Sequence, residues 1–506
     1  MATISTAVGT ERISRVSGYK IKKGFFSNET TNLPQLIAVF GEANTANQVG
    51  LTTDKVEITS AQEAAELFGY GSPIHQQMRI LRPISSDGVG GIPTVVFPQI
   101  SDGAATPTIK EWTVTGTATA NATHRVVING RRELDFQSYA FSVVAGDSDS
   151  DVAAKINDVI NGVLSAPCTA TVNLNAVTLE TKWAGGTSAE FNVSIDFGSD
   201  SAGLSYTETN GSLGSGVVDL ADSLSQFGDD WYTIVTNPYG DAQFTSLEAF
   251  NGIPDPDNPT GRYNGLTFKP FMAYFGSTLD DKDALAAITD NPSRVEQVTN
   301  VLCAAPKSKG FSWEALSNVV VLFARTAQDT PHLDVNNKAY PDMPIPEDGN
   351  IGDMSVYNNR DFLVKKGCST VLLENGVYKI QDLVTTYHPQ GETPLQYSYS
   401  RNLNLDWNVS DAYRTLETLR LKDRTLIRDN QFVDVFGAIK PKEWKAVLYD
   451  LFEDLAEKAL INEPEFSKDS LLVQISDTNP NRFETFFRYK RTGIARIEST
   501  DVEAGF

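Results

Sequence analysis

The segment from about residue 216 to Ala327 alternates between short apolar runs and amphipathic stretches. Each apolar run has the composition of a buried strand, and each stretch that follows has apolar residues at helical spacing. Three such pairs follow one another: WYTIVTNP with AQFTSLEAFNGI, FMAYF with DDKDALAAIT, and VTNVLCAAP with SWEALSNVVVLFARTA. Because strands that alternate with helices pair in parallel through crossovers, the sequence predicts βαβ units and a mostly parallel sheet here.

A strand, two helices and another strand are predicted upstream of this region. Residues 36–40 form a short apolar run, and residues 94–97 form another. Between them, Ser60 and Glu63 stand at the spacing of a capping box, in which the serine hydroxyl accepts the glutamate amide. Pro73 occupies the favourable first turn of a second helix. The N-terminal part is therefore expected to be ordered from about residue 34.

The segment 100–212 has a different character. Threonine, serine, alanine, asparagine, valine and glycine dominate it, and short alternating runs such as EWTVTGTA and FNVSIDF are typical of strands. Asn129 and Gly130 predict a tight hairpin turn between two of these runs. One helix, DSDSDVAAKINDVINGV, has its acidic residues at the N-terminus, where the helix dipole favours them. We interpret this segment as an inserted β-rich domain.

From residue 357 the sequence predicts an α+β unit. It contains a hairpin around Asn375 and Gly376, a helix from about Asp411 to Arg428, a second helix from Pro441 to Leu460, and late strands that include Thr485 to Ile497. The fold class is thus an α+β and α/β multidomain protein. The predicted boundaries are 1–33 for an N-terminal arm, 34–99 for the first part of an inner and middle domain, 100–212 for the β-rich outer insert, 213–356 for an α/β middle domain, 357–485 for an α+β inner domain, and 486–506 for a C-terminal arm.

Charge and motif content exclude several classes of function. The formal net charge is −22, which argues against binding to a nucleic-acid backbone. The three cysteines and four histidines are scattered, without the clusters that metal sites require, and the cysteines are expected to be buried thiols in a reducing compartment. The glycine run at residues 88–91 precedes a strand, and no phosphate loop or nucleophile elbow is present. No catalytic, cofactor-binding or metal-binding residue is predicted.

The longest apolar run, residues 319–324, is far shorter than the ~20 residues that a membrane-spanning helix needs. The N-terminal residues lack the apolar core of a signal peptide. We therefore expect a protein that is made and used without Sec-type export.

Basic residues concentrate at both ends of this acidic chain and on one predicted helix. Residues 11–23 and 482–498 are basic, which suits head-to-tail self-association but is also ordinary for solvated termini. The helix after Asp411 carries Arg414, Lys422 and further arginines, almost balanced by acids. It is either an amphipathic helix with many salt bridges or a basic stripe for an acidic partner.

Several segments, in their order along the chain, resemble the tail sheath proteins of contractile phages, in particular the Mu-like type. They are AAELFGYGSPIHQQMRIL, TGTATANATHRVVINGRRELDF, DSDSDVAAKINDVIN, CTATVNLNAVTLETKWAGG, SNVVVLFARTAQDTPHLDVNNKAYPDM and GCSTVLLENGVYKIQDLVTTYHPQGETPLQY. The family's regular alanine run is degraded in the fifth of these. The resemblance covers about residues 36 to 500 and implies a structural subunit that is not an enzyme.

The resemblance implies that subunits stack as six-fold rings around a tail tube and contract to drive the tube through the host envelope. The inner domain, built from N- and C-terminal portions, would face the tube, and the insert would point outward. The implied partners are further copies, the tail tube protein, and baseplate and tail terminator proteins, with no nucleic acid and no membrane insertion. The implied location is the virion tail, and the host cytoplasm during assembly.

The family's terminal arms add strands to sheets in neighbouring subunits, which is compatible with arms that lack a core. The candidates for strand exchange are Lys20, Ile21 and Lys22, and, at the other end, Phe487, Tyr489, Ile494 and Ile497. The candidates for the tube-facing surface are Arg414, Arg420, Arg424 and Arg428.

Two alternatives remain open at this point. The first is the sheath of a phage-tail-like bacteriocin or another contractile injection device, which gene neighbourhood would distinguish. The second is an acidic multidomain hydrolase with a carbohydrate-binding insert. The acid pairs at residues 229–230 and 280–281 are far more typical of helix caps and turns than of glycosidase chemistry.

Overall fold

The computed structural model describes residues 32–392 and 395–504 of the 506-residue chain. Almost all of the predicted N-terminal arm lies outside the described residues. The first ordered elements are β1 (Ile37–Glu42), β2 (Val56–Glu57), α1 (Ala61–Phe68), α2 (Pro73–Leu81) and β3 (Thr94–Gln99). The Ser60 hydroxyl accepts the Glu63 amide at 3.1 Å, so the predicted start of α1 is confirmed.

The predicted β-rich segment forms antiparallel sheets of four and three strands, a two-stranded hairpin and one helix. Its elements are β4 (Ile109–Thr115), β5 (Ala122–Ile128), β6 (Glu133–Leu134), β7 (Gln137–Ser138), β8 (Ala140–Val143), α3 (Asp149–Asn161), β9 (Cys168–Asn173), β10 (Ala176–Thr181), β11 (Val193–Asp196) and β12 (Ser205–Ser212). The order in one sheet is β12-β4-β10-β9, and in the other β11-β5-β8, and α3 contacts strands of both. We call residues 100–212 the insert.

The turn at Asn129 and Gly130 forms as predicted, but the hairpin does not. Both residues have positive φ, as a tight turn requires. Beyond the turn, however, only Arg131 bridges back to Ile128, and β6 pairs with β7 instead of β5. The prediction that β5 forms a hairpin across this turn is therefore wrong. Its two edges pair with β8 and β11 instead.

The strand and helix alternation after the insert gives α4 (Ala221–Ser225), β13 (Ile234–Thr236), α5 (Phe244–Asn251), β14 (Met272–Ser277), α6 (Lys282–Thr289), β15 (Asn300–Ala304) and α7 (Ser312–Asp329). These strands join the N-terminal ones in a six-stranded sheet of order β15-β14-β13-β1-β3-β2, in which only β2 is antiparallel. The predicted parallel sheet is therefore confirmed.

The central strand β1 is buried on both faces. Ile37 and Val39 point into one apolar cluster, and Ala38 and Phe40 point into another. Such two-sided burial explains why the strand is a continuous apolar run and not an alternating one. The strand order reverses at β1, because the chain proceeds from β1 to β3 on one side and later to β13 on the other.

The remaining elements are α8 (Tyr357–Lys365), β16 (Thr370–Glu374), β17 (Val377–Asp382), α9 (Ser400–Arg420), β18 (Thr425–Leu426), β19 (Ala438–Ile439), α10 (Pro441–Glu457), β20 (Ile461–Asn462), α11 (Pro464–Ser470), β21 (Leu472–Ile475), β22 (Phe483–Phe486) and β23 (Lys490–Arg491). The hairpin predicted at Asn375 and Gly376 joins β16 to β17 as expected. Buried residues of α9 and α10 form a third apolar cluster, which includes Leu405, Trp444 and Phe452.

The predicted helix from Asp411 to Arg428 is wrong at both ends. The helix begins at Ser400 and ends at Arg420, and Asp423 has φ +60°, which breaks the helical path. The second helix, predicted to reach Leu460, ends at Glu457. The continuous strand predicted from Thr485 to Ile497 is also wrong, because β22 ends at Phe486 and β23 spans two residues.

The three cysteines are buried and free, as predicted.

Candidate functional site

The C-terminal hairpin β21–β22 has two open edges. Leu472 pairs with Phe486 and Ile475 pairs with Phe483, and no third strand lies beside them in the described part of the chain. Phe483 packs against the apolar cluster of α10, whereas Leu472 is 65% exposed. A two-stranded hairpin is marginal alone, and its unpaired edges accept further strands. This hairpin is therefore a candidate acceptor for a strand from another chain.

Two residues that the sequence assigned to strand exchange lie in contacts within the same chain. The ring of Phe487 lies 5.1 Å from that of Phe452 and 5.6 Å from that of Tyr413. The Tyr489 hydroxyl donates to Asp406 Oδ1 at 2.7 Å. In this single chain, residues 487–489 are thus part of the packing around α9 and α10.

Near the end of the described residues, Arg496 contacts distant parts of the chain, and no helix or strand follows β23. The Arg496 guanidinium pairs with Asp334 and with Asp382, and lies 3.5 Å from the ring centre of Tyr399. Neither Ile494 nor Ile497 belongs to a strand, and Ile497 is exposed. The N-terminal candidates Lys20, Ile21 and Lys22 lie outside the described residues.

The four arginines predicted to face the tube do not share one helix face. Arg414 and Arg420 lie on α9, whereas Arg424 and Arg428 follow it. The Arg414 guanidinium donates to the carbonyl oxygens of residues 265, 267 and 268 at 3.0–3.3 Å, so it ties α9 to that loop. Arg420 and Arg428 are exposed.

An exposed apolar loop lies next to these arginines, and the sequence analysis did not single it out. It is the connection between β18 and β19, residues 427–437, where Phe432 is 89% and Phe436 is 98% exposed. Val435 is also exposed, and Arg424 lies 5.3 Å from the ring centre of Phe436. The signal in the sequence is QFVDVFG, an apolar stretch too short and irregular for a strand. Exposed apolar patches of this kind mark interaction surfaces.

The acid pairs considered for hydrolysis have structural contacts. Asp281 caps α6, accepting the amides of residues 283 and 284 at 3.0 and 2.8 Å. Asp230 lies 2.6 Å from the Lys55 ammonium. Across residues 32–392 and 395–504, no group of three histidine, cysteine, aspartate or glutamate side chains could hold a metal ion. No helix in those ranges is long and apolar enough to cross a membrane.

Within the described residues, the open edges of the C-terminal hairpin and the exposed apolar loop are candidate surfaces for contacts with other chains. The chain resembles the tail sheath proteins of Mu-like phages. The relative that shows this is the Mu-like prophage FluMu tail sheath protein of Haemophilus influenzae, which is 23% identical over 437 residues, 85% of this chain and 84% of the relative. The resemblance found in the sequence is thereby confirmed.

Two solved structures are also similar to the chain. The sheath tail protein of Desulfitobacterium hafniense has a TM-score of 0.45 and 11% identity, with 94% of this chain and 100% of that one covered. The sheath tail protein of Listeria innocua has a TM-score of 0.41 and 10% identity, with 92% of this chain and 96% of that one covered. No protein-family model matches the sequence.

Proposed function

We propose that this chain is the sheath subunit of a contractile phage tail. Copies stack as six-fold rings around a tail tube, and on a baseplate signal they rearrange to a shorter, wider helix that drives the tube through the host envelope. The similarity to a tail sheath protein over 85% of the chain carries this proposal. The subunit assembles in the host cytoplasm with the tube, baseplate and terminator proteins, and ends in the virion tail.

Subunits are joined by strands lent from the terminal arms, residues 1–33 and 486–506. The hairpin β21–β22 supports this, because no other strand of the described residues pairs with either of its edges. Added strands pair backbone to backbone, so the link survives large rotations of the bodies that it joins. Since Phe487 and Tyr489 have partners in their own chain, a lent C-terminal strand that included them would first break those contacts. Ile494 and Ile497 belong to no strand in the described chain, so lending them to a neighbour breaks no strand pairing.

The segment 357–485 faces the tube, with Arg414, Arg420, Arg424 and Arg428 as its basic residues, and the insert points outward. The exposure of Arg420 and Arg428 supports the tube-facing role more than the internal contacts of Arg414 do. The segments 34–99 and 213–356 supply one shared sheet as the middle body. The energy for contraction is a difference in interface free energy between two packings, so no nucleotide is required.

The N-terminal arm provides the test. Deletion of residues 1–26 leaves subunits that are stable but form no connected sheath in electron micrographs of negatively stained protein. A finer variant is Ile21→Pro, because proline cannot donate a ladder hydrogen bond, and Ile21→Val is its matched control. Normal tubes from the deletion variant remove the N-terminal arm from the proposal. Monodisperse monomers from the full-length chain, under conditions that include the tube protein, overturn it altogether.

A further inference from the structure

A cleft of about 1170 Å³ lies where the described part of the chain begins. One side is formed by residues that lead into strands of the six-stranded sheet, among them Leu36, Pro93 and Trp231. Pro331, which follows α7, and the end of α10 form the other side. The four side chains named are apolar, and the cleft exceeds the roughly 300 to 1,000 Å³ of small-molecule sites. Its size therefore suits a length of polypeptide, and we call it the entry cleft.

The entry cleft also carries negative charge. Asp329 is the last residue of α7 and Glu457 is the last residue of α10, and both are exposed on its lining. Asp411 of α9 lines it as well. The C-terminal ends of the two helices add the negative pole of their dipoles. Among the described residues that line the cleft, Lys458 is the one lysine or arginine. The cleft therefore favours an occupant that is both cationic and apolar.

The N-terminal residues of the chain join the described part at the edge of this cleft. Asn32 lines the cleft, and its side-chain amide donates to the carbonyl of Gln328 near the end of α7 at 2.8 Å. The Leu33 amide donates to Asn408 Oδ1 on α9 at 2.9 Å. These bonds fix the point from which the preceding residues start. Because each residue spans at most about 3.6 Å, Phe26 lies within about 22 Å of Asn32.

The sequence of residues 20–26, KIKKGFF, complements the entry cleft in both respects. It has three lysines, one isoleucine and two phenylalanines, and no acid lies between Glu11 and Glu29. Phenylalanine buries a large apolar area on contact with an apolar wall. A lysine can lay its stem along apolar surface while its ammonium reaches a carboxylate. This short segment therefore supplies both kinds of group that the cleft favours, and it lies within reach.

We propose that residues 20–26 bind in the entry cleft of their own subunit before that subunit assembles with others. The phenylalanines pack against the apolar wall that includes Trp231, and the lysines pair with the acids at the two helix ends, Asp329 and Glu457. A short tether gives an effective concentration on the order of mM, so even weak binding fills the cleft from within the same chain. The cleft is separate from the hairpin β21–β22.

Binding of this kind withholds the N-terminal segment from other chains. It covers two phenylalanines that would otherwise be open to association with further copies. If the arm is lent to a neighbour, as the proposed function requires, the segment must first leave the cleft, so the cleft and the neighbour compete for it. The binding itself is a property of the isolated subunit and does not rest on the proposed function. Its tests use the unassembled full chain, whereas the proposed function is tested by sheath formation.

Zero-length crosslinking of the purified full chain tests the contact directly. A water-soluble carbodiimide activates a carboxylate, and a lysine amine in contact with it displaces the urea to form an amide. We expect amides that join Lys20, Lys22 or Lys23 to Asp329 or Glu457, identified by mass spectrometry. In a mixture of light and isotopically heavy chains, every such link should join two peptides of the same isotope. Links between light and heavy peptides show binding from another copy and overturn the proposal, as does the absence of links to the acids of the cleft.

Charge reversal in the segment gives an independent measurement. The double variant Lys22→Glu and Lys23→Glu is expected to weaken binding by about tenfold, because two ion pairs are replaced by repulsion. Labelling of Asp329 and Glu457 by carbodiimide and a small amine should then rise above its level in the wild type. Asp450, exposed on α10 and outside the cleft, provides the internal reference and should be labelled equally in both proteins.

A matched control carries the same change of net charge elsewhere. Lys422 and Lys442 are exposed and do not line the entry cleft. The double variant Lys422→Glu and Lys442→Glu should therefore leave the labelling of Asp329 and Glu457 at the wild-type level. If the segment variant and the wild type are labelled equally, or if the control raises the labelling as much as the segment variant does, the proposal is overturned.

Discussion

The guanidinium of Arg491 forms a two-point ion pair with the carboxylate of Asp406 on α9, with Nε 2.6 Å from Oδ1 and Nη2 2.5 Å from Oδ2. The same carboxylate accepts the Tyr489 hydroxyl. Burial alone would lower the pKa of Arg491, but the hydrogen bonds and charge of Asp406 raise it above its usual value. This contact holds the chain that follows the C-terminal hairpin against α9.

We expect Asp406→Asn to release this segment. Both side chains are mostly buried, and losing one partner leaves the other without its counter-charge, at a cost of about 2 kcal/mol in local stability. Hydrogen exchange of peptides from residues 483–491 measures the loss directly. The exposed pair of Asp361 and Lys365 is the control, since Asp361→Asn costs less than about 0.5 kcal/mol. Equal protection in the wild type and Asp406→Asn would show that apolar packing alone holds the segment.

Gly276 provides a test of how β14 packs against α7. A Cβ at this position would lie 1.7 Å from the carbonyl oxygen of Ser312, a backbone atom that cannot move without shifting the helix. We expect Gly276→Ala to destabilise the protein by about 3 kcal/mol, seen as a lower melting temperature and a lower soluble yield. Gly265→Ala, where nothing lies within 4 Å, is expected to change stability by less than about 0.5 kcal/mol. Matching melting temperatures for the two variants would contradict the close approach.

A pH-dependent part of global stability is expected from Glu248. Burial raises its pKa from 4.5 to about 7, although Arg294 and Asn300 favour the ionised form. The folded state therefore keeps a proton that the unfolded state has lost between pH 4.5 and 7, so the free energy of unfolding falls as pH rises through this range. Glu248→Gln is expected to reduce the difference between pH 5 and pH 8 by about 1 to 2 kcal/mol, measured by urea denaturation. A difference that stays at the wild-type value would rule out this assignment.

The apolar loop between β18 and β19 is expected to act in assembly and not in folding. Phe436 is almost completely exposed, so Phe436→Asp removes no buried contact and leaves the melting temperature within about 2 °C of wild type. Sheath formation, scored by electron microscopy and sedimentation, is expected to be lost. Phe136→Asp, at an exposed phenylalanine of the insert, is the matched control and should assemble normally. Normal assembly of Phe436→Asp would remove the loop from the interface.

Local sequence signals predicted the elements whose causes are local. The strand and helix alternation located β13 to β15 and α7, because the apolar pattern of each element lies in consecutive residues. The Ser60 cap and the turn at Asn375 are equally local, since each depends on residues within one turn. The mostly parallel sheet followed from the same alternation of strands and helices.

The first half of α9 was missed because long-range partners stabilise it. Arg401 donates to the carbonyl of His332, and the side chain of Asn408 accepts the amide of Leu33. The sequence analysis assigned no element to these buried polar residues, since nothing nearby in the sequence shows their partners. The same reason explains the wrong strand prediction at Phe487 and Tyr489. Their alternation is typical of a strand, but the contacts with Phe452 and Asp406 hold them in place instead. Distant pairings of this kind have no signature in a single sequence.

Because β1 pairs with a strand that comes much later in the sequence, the sheet cannot fold in the order in which the chain is synthesised. Its neighbour β13 is translated only after the whole insert, so the ribosome releases the sheet's central strand long before that strand has a complete set of partners. The insert, whose strands pair among themselves, can collapse first, while the nascent β1 region waits with apolar residues uncovered. Yield in a cell thus depends on how well chaperones shield residues 36–40 during translation, and coexpressed holdases or slower synthesis at low temperature should raise it.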